Sequence, residues 1–126
     1  MAITVKQNLV TKVAGADLSA LQFTFVKLDT DTNKVVANAD PAVANFGILQ
    51  NAPALGEPAL IAIQGSGALL KASAAITAGA YVAATTGGAG VTTTTDKHKV
   101  GAVAVGTTTG TNSMVEVIVT NFTLSI

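Results

Sequence analysis

Few side chains in this sequence can do acid–base, nucleophilic or metal chemistry, and their spacing limits what they could do. The single histidine, His98, sits in Asp96-Lys97-His98-Lys99. An imidazole base needs an orienting partner and a nucleophile within hydrogen-bond reach, and the sequence defines no such triad. A solvated charged turn leading into a strand at Val100 accounts for the same residues. Only two glutamates, Glu57 and Glu116, and five scattered aspartates are present. Paired-carboxylate chemistry requires two carboxyls held a few ångströms apart, and no spacing announces such a pair.

One acidic stretch imitates a metal loop. Asp29-Thr30-Asp31-Thr32-Asn33, with Asp40 eleven residues after Asp29, follows part of the ligand spacing of a calcium-binding helix-loop-helix. Lys34 stands where that loop needs glycine, Asp40 is shorter than the bidentate Glu that closes it, and the flanks read as strands. A hairpin turn between Phe25-Val26-Lys27-Leu28 and Val35-Val36 explains these residues, since Asp, Thr and Asn are turn formers. The glycines of Gly65-Ser66-Gly67 and Gly87-Gly88-Ala89-Gly90 lack the Gly-Lys-Ser/Thr ending and following helix of a phosphate loop. Asn121-Phe122-Thr123 fits a glycosylation acceptor pattern that also arises by chance. The chain has no Cys and no Arg, which removes thiolate chemistry and the side chain best suited to gripping phosphate or carboxylate in a bidentate manner. No catalytic residue, metal ligand or cofactor site is expected; the chain reads as no enzyme.

The elements that would have to carry any site are strands. With 126 residues the chain is the size of one compact domain. Hydrophobic residues make up 49% but aromatics only 4%, so the core is expected to be built from small side chains. Charged residues are 11%, with seven Lys against seven acids, which argues against a basic nucleic-acid binder and against a disordered acidic tail. The opening MAITVKQNLV alternates polar and apolar residues instead of forming a secretory h-region, and Ala72–Ala84 is too short and too punctuated to span a bilayer as a helix. No membrane partner is expected.

Short Val/Ile/Leu/Phe/Thr runs broken by Gly, Pro, Asn or Asp predict an all-β sandwich or barrel. Strands are predicted at Ile3–Leu9, Gln22–Leu28, Lys34–Asn38, Asn45–Leu49, Ala59–Gln64, Ala68–Ser73, Tyr81–Ala84, Lys99–Val105 and Met114–Thr120. The last alternates most cleanly, with Val115, Val117 and Val119 on one face. Leu60-Ile61-Ala62-Ile63 is apolar on both faces, which suggests cover from both sides, by the domain or by a neighbouring subunit. One helical turn is predicted where Asp17 could cap Leu18–Leu21. Gly87–Gly90, Thr92–Thr95 and Gly106–Gly110 read as surface loops.

From Ala14 onward the chain resembles the small bacteriophage capsid cement, or head decoration, proteins. The residues that carry the resemblance are AGADLSALQFTFVKLD (Ala14–Asp29) and, more sharply, GILQNAPALGEPALIAIQG (Gly47–Gly65). Leu69–Ala72, Ala75–Gly79, Val100–Ala104 and Val115–Val119 follow in the family's order. Ala80 stands where the family commonly has Asp, Thr92–Lys99 is long and Thr-rich, and Thr120–Ile126 is apolar. The resemblance implies a small β-barrel or β-tulip-like module, a homotrimer, bound to the major capsid protein on the outside of an expanded head at three-fold or quasi-three-fold positions. It would clamp capsid subunits against internal DNA pressure. The implied location is the virion surface after synthesis in the host cytoplasm.

The expected organisation is an N-terminal arm or edge strand over residues 1–12, a barrel or tulip over 13–120 and a tail over 121–126. Apolar residues at the chain ends, namely Ile3, Val5, Leu9, Phe122, Leu124 and Ile126, are the candidate partner contacts, with edge strands of the protein's own barrel as the other reading. The Gly- and Thr-rich loops also suggest an extracellular adhesive or carbohydrate-binding module, although the chain has no Trp and a single Tyr, Tyr81, to serve as a sugar platform.

Overall fold

The computed structural model describes residues 7–110 and 113–125. Ten strands follow one another: β1 (Leu9–Ala14), β2 (Phe25–Leu28), β3 (Lys34–Ala37), β4 (Gly47–Leu49), β5 (Pro58–Ala62), β6 (Gly67–Lys71), β7 (Tyr81–Ala84), β8 (Gly90–Thr92), β9 (Lys99–Ala104) and β10 (Met114–Thr123). The first five close into a barrel in the order β1-β3-β2-β4-β5, and the rest form a sheet ordered β6-β10-β9-β7-β8. The all-β barrel expected from the sequence is therefore present, with a second sheet laid against it. The outer strands of that sheet also meet, through a parallel bridge between Ala72 and Gly90 and a 2.9 Å bond from the Ser73 N–H to the Gly90 carbonyl.

Each strand forms where apolar alternation meets turn chemistry. In β10, Val115, Val117 and Val119 point inward and are buried, the period-two pattern of a sheet with one covered face. The β2–β3 hairpin pairs Val26 with Ala37, Lys27 with Val36 and Leu28 with Val35. Its turn is closed by the Asp29 N–H donating to the Lys34 carbonyl at 3.0 Å and by Asp31 Oδ1 accepting the Asn33 N–H at 3.0 Å. The residues that imitate a calcium loop build this turn.

The interface between barrel and sheet follows from register. Phe25 pairs with Ile48 and Ile48 with Ala62, which puts these three residues in one row across β2, β4 and β5. That row packs into a cluster with Ala68, Leu70, Val82, Ala102, Ala104 and Val117 of the second sheet. The barrel interior is a separate cluster around Leu18, Val26, Val35, Leu49 and Ile61. The second sheet's inner face is rich in alanine, and Phe25 is the one aromatic side chain in the cluster between the layers. At about 25 cal/mol per Å² of apolar surface, a fully buried phenylalanine contributes more here than any alanine beside it.

Several expectations are corrected. The helical turn placed after Asp17 is a tight turn, with the Leu21 N–H on the Leu18 carbonyl at 3.0 Å; among the described residues the one 3-10 turn is at Thr86–Gly88. Gly87–Gly90 is not a surface tip: Gly88, Ala89 and Gly90 are buried, and Gly90 opens β8. A β-carbon on Gly90 would lie 2.6 Å from Leu70 Cδ2, so glycine serves close approach there. The strand expected over Ile3–Leu9 falls mostly outside the described residues, and the first described strand begins at Leu9. β1 and β10 run across the residue-12 and residue-120 positions expected to separate arm, barrel and tail.

Candidate partner-binding surface

The single histidine is occupied with structure. His98 Nδ1 lies 2.7 Å from Thr93 Oγ1, and Thr93, which is buried, also accepts the Thr95 N–H at 3.3 Å. This network ties the Thr-rich loop to the start of β9. Among the described residues no three His, Cys, Asp or Glu side chains gather as a metal site. No described helix is long and apolar enough to cross a membrane.

Asn38, fully buried, organises the loop between β3 and β4. Its Oδ1 accepts the Asp40 N–H at 3.1 Å, which fixes the amide so that Nδ2 donates to the Val43 carbonyl at 3.0 Å and to Asn45 Oδ1 at 2.7 Å. The Asn45 Nδ2 is then left buried with no hydrogen-bond partner. Asn45 lines a groove of about 200 Å³ with Lys99, Phe122 and Thr123, where the barrel meets the second sheet. Lys99 Nζ donates to Thr123 Oγ1 at 2.9 Å along one wall.

The exposed surface is unusual for its apolar strand faces. In the β1–β5 ladder Leu9 faces Ala62, Thr11 faces Leu60 and Val13 faces Pro58. Leu9 is 45% exposed and Leu60 37%, with Val13 also exposed and Leu55, on the preceding loop, 67% exposed. No charged side chain interrupts these three pairs. Ala62 is itself buried and Thr11 is polar, so the exposed apolar residues are Leu9, Val13, Leu55 and Leu60; grouped exposed apolar side chains mark interaction sites.

The expected partner contacts fall in different places. Leu9 lies on this ladder face. Phe122 is exposed and meets the Tyr81 ring edge-on, with centroids 5.2 Å apart. Leu124 is only 9% exposed, because the Leu124 N–H donates to the His98 carbonyl at 2.9 Å and the Lys97 N–H to the Leu124 carbonyl at 2.7 Å. Ile3, Val5 and Ile126 lie outside the described residues. Reasoning from chain ends missed Leu55 and Val13, while Leu60 belongs to the run, apolar on both faces, for which cover by the domain or by a neighbouring subunit was expected.

No family model matches the sequence, and no curated protein matches it. Among solved structures, the chain is similar to the head fiber gp8.5 N base of bacteriophage phi29, with a TM-score of 0.71 at 12% identity, over 96% of this chain and 100% of that one. At that identity the likeness is one of fold, and it runs the whole length of the neighbour.

Proposed function

We propose that this chain is a structural protein of a phage head, held on the outside of the expanded shell by the major capsid protein, and that it stabilises the shell without catalysis or a cofactor. The observation that carries the reading is the fold it shares, nearly end to end, with a protein described as a head fiber base. The resemblance of Gly47–Gly65 to capsid cement proteins points the same way. In the finer form of the proposal the chain works as a trimer at three-fold or quasi-three-fold positions. Neither nucleic acid nor membrane is a partner.

The mechanism is linkage. A ligand that binds the assembled shell and not its separated subunits stabilises the shell by mass action, and one that straddles several subunits gains from multivalency. The β1–β5 face around Leu9 and Leu60 is the docking face in this reading, because Leu9, Val13 and Leu60 are exposed there.

The test is co-sedimentation with expanded heads of the encoding phage from which this chain has been stripped. Saturable binding is expected, Leu9→Asp should weaken it by at least about tenfold, and stripped heads should rupture more readily on heating or osmotic shock. Absence of wild-type binding to expanded heads would overturn the proposal.

A further inference from the structure

The barrel wall is open where β2 runs on past β4. The Asn38 N–H donates to the Phe25 carbonyl at 3.1 Å and the Asp29 N–H to the Lys34 carbonyl at 3.0 Å, so the odd-numbered residues of β2 bond to the β3 side. The even-numbered residues turn the other way, as in any antiparallel ladder. The Thr24 carbonyl accepts the Leu49 N–H at 2.9 Å and the Val26 carbonyl accepts the Phe46 N–H at 2.8 Å. Leu28 is next in that series. The β2–β4 ladder ends at the pair of Val26 and Gly47, which leaves the Leu28 N–H and C=O facing that side without a ladder partner among the described residues. Leu28 is 40% exposed, so this rung is open to another molecule.

The open rung lies in the wall of a groove of about 240 Å³ that Lys27, Val43 and Phe46 also line. Ala44 and Asn45 line this groove and the one at Lys99 and Phe122 alike, so the two adjoin. Each carries one half-buried lysine beside apolar side chains. None of the chain's seven acidic residues lines either groove, although its charges balance overall, so the cleft has a single sign. An unpaired backbone rung selects an extended segment, and pockets beside it select that segment's side chains. Apolar walls favour apolar side chains there, and compact ammonium groups favour carboxylates. We infer that the adjoining grooves take an extended acidic segment of the head protein, which adds to β2 at Leu28 and sets carboxylates against Lys27 and Lys99. The inference rests on the proposed head binding, and it adds a charged contact to the apolar one at Leu9 and Leu60.

The test is co-sedimentation of the full chain with stripped expanded heads at low and high salt, with unfolding midpoints to show that each variant is folded. Lys27→Glu and Lys99→Glu should each raise the dissociation constant at least about tenfold, because each sets like charges against each other. Lys71→Glu makes the same change of charge on β6, at a residue that lines neither groove, and should stay within about twofold of wild type. Added salt should weaken wild-type binding, and the two groove variants should lose most of that dependence. Hydrogen exchange followed by mass spectrometry reads the backbone contact without any substitution: the Leu28 amide should exchange at least about tenfold more slowly on heads than in solution. Three results would each overturn the inference alone: wild-type binding that neither groove variant changes, an equal loss in Lys71→Glu, or a Leu28 amide that exchanges on heads as it does in solution. Wild type that does not bind heads at all would overturn the proposed function, and this inference with it, so the two failures are told apart.

Discussion

Gly101 lies against the Phe25 ring so closely that a β-carbon at that position would sit 2.5 Å from the ring Cε1 and 2.6 Å from Asn45 Nδ2. The glycine is thus the recess in β9 that admits the one aromatic side chain of the cluster between barrel and sheet. Gly101→Ala should cost about 1–3 kcal/mol of unfolding free energy by the overpacking it forces. Urea denaturation followed by far-UV circular dichroism measures it, and a cost within a few tenths of wild type would show that Phe25 is free to give way.

Gly47→Ala should be worse. Its β-carbon would collide with the Ala62 carbonyl oxygen and approach Ile61 Cγ2 to 2.6 Å. A backbone oxygen in a paired strand cannot retreat as a ring can, so a loss of about 3 kcal/mol is expected. Gly110→Ala is the control. There the nearest atom is Ser113 Oγ at 3.7 Å, and the change should stay within about 0.5 kcal/mol. Matched thermal and urea unfolding of both variants checks the order.

His98→Ala should lower stability by about 0.5–1.5 kcal/mol through loss of the bond to Thr93 Oγ1, while leaving co-sedimentation with expanded heads unchanged. A variant that is folded but no longer binds heads would move His98 into the partner contact.

Asp17 sets a small pH dependence. The Ser19 hydroxyl, and then the Ser19 N–H donating to Asp17 Oδ1 at 3.1 Å, hold its carboxyl below the usual range, against a weaker opposing effect of desolvation. A carboxyl with a folded pKa below its unfolded value stabilises the fold above the unfolded value, and the contribution disappears as pH falls through the folded one. The side chain is fully exposed, so the effect should be slight. Asp17→Asn should flatten the acid limb of a stability-versus-pH curve below about pH 4 and leave the neutral limb in place. An acid limb identical to wild type would show that the Ser19 bonds do not distinguish the charge states.

Strand positions were legible wherever apolar alternation met turn residues: Tyr81–Ala84 agrees to the residue, and the Asp29–Asn33 hairpin follows from its turn formers. Closure was not legible. β1 runs parallel to β3, pairing Val13 with Lys34 and Ala14 with Val35, and a parallel neighbour across an intervening strand leaves no local signature. β8 was hidden because Gly88 and Gly90 look like flexible-loop residues, whereas here Gly88, at φ +80, packs on the Phe25 carbonyl and Gly90 on Leu70 and Val82. In the candidate surface Leu9 was found because it is apolar near a chain end. Leu60 was read only as part of a strand covered by the domain or by a neighbouring subunit, since a strand apolar on both sides does not say which side faces out, and Leu124 has the same chain-end character yet is buried, its backbone bonded to His98 and Lys97.

The bridge from Ala72 to Gly90 has a practical consequence. Where Ala72 and Ser73 meet Gly90, the outer strands of the second sheet occupy each other's backbone groups and leave fewer of them for another molecule to zip onto.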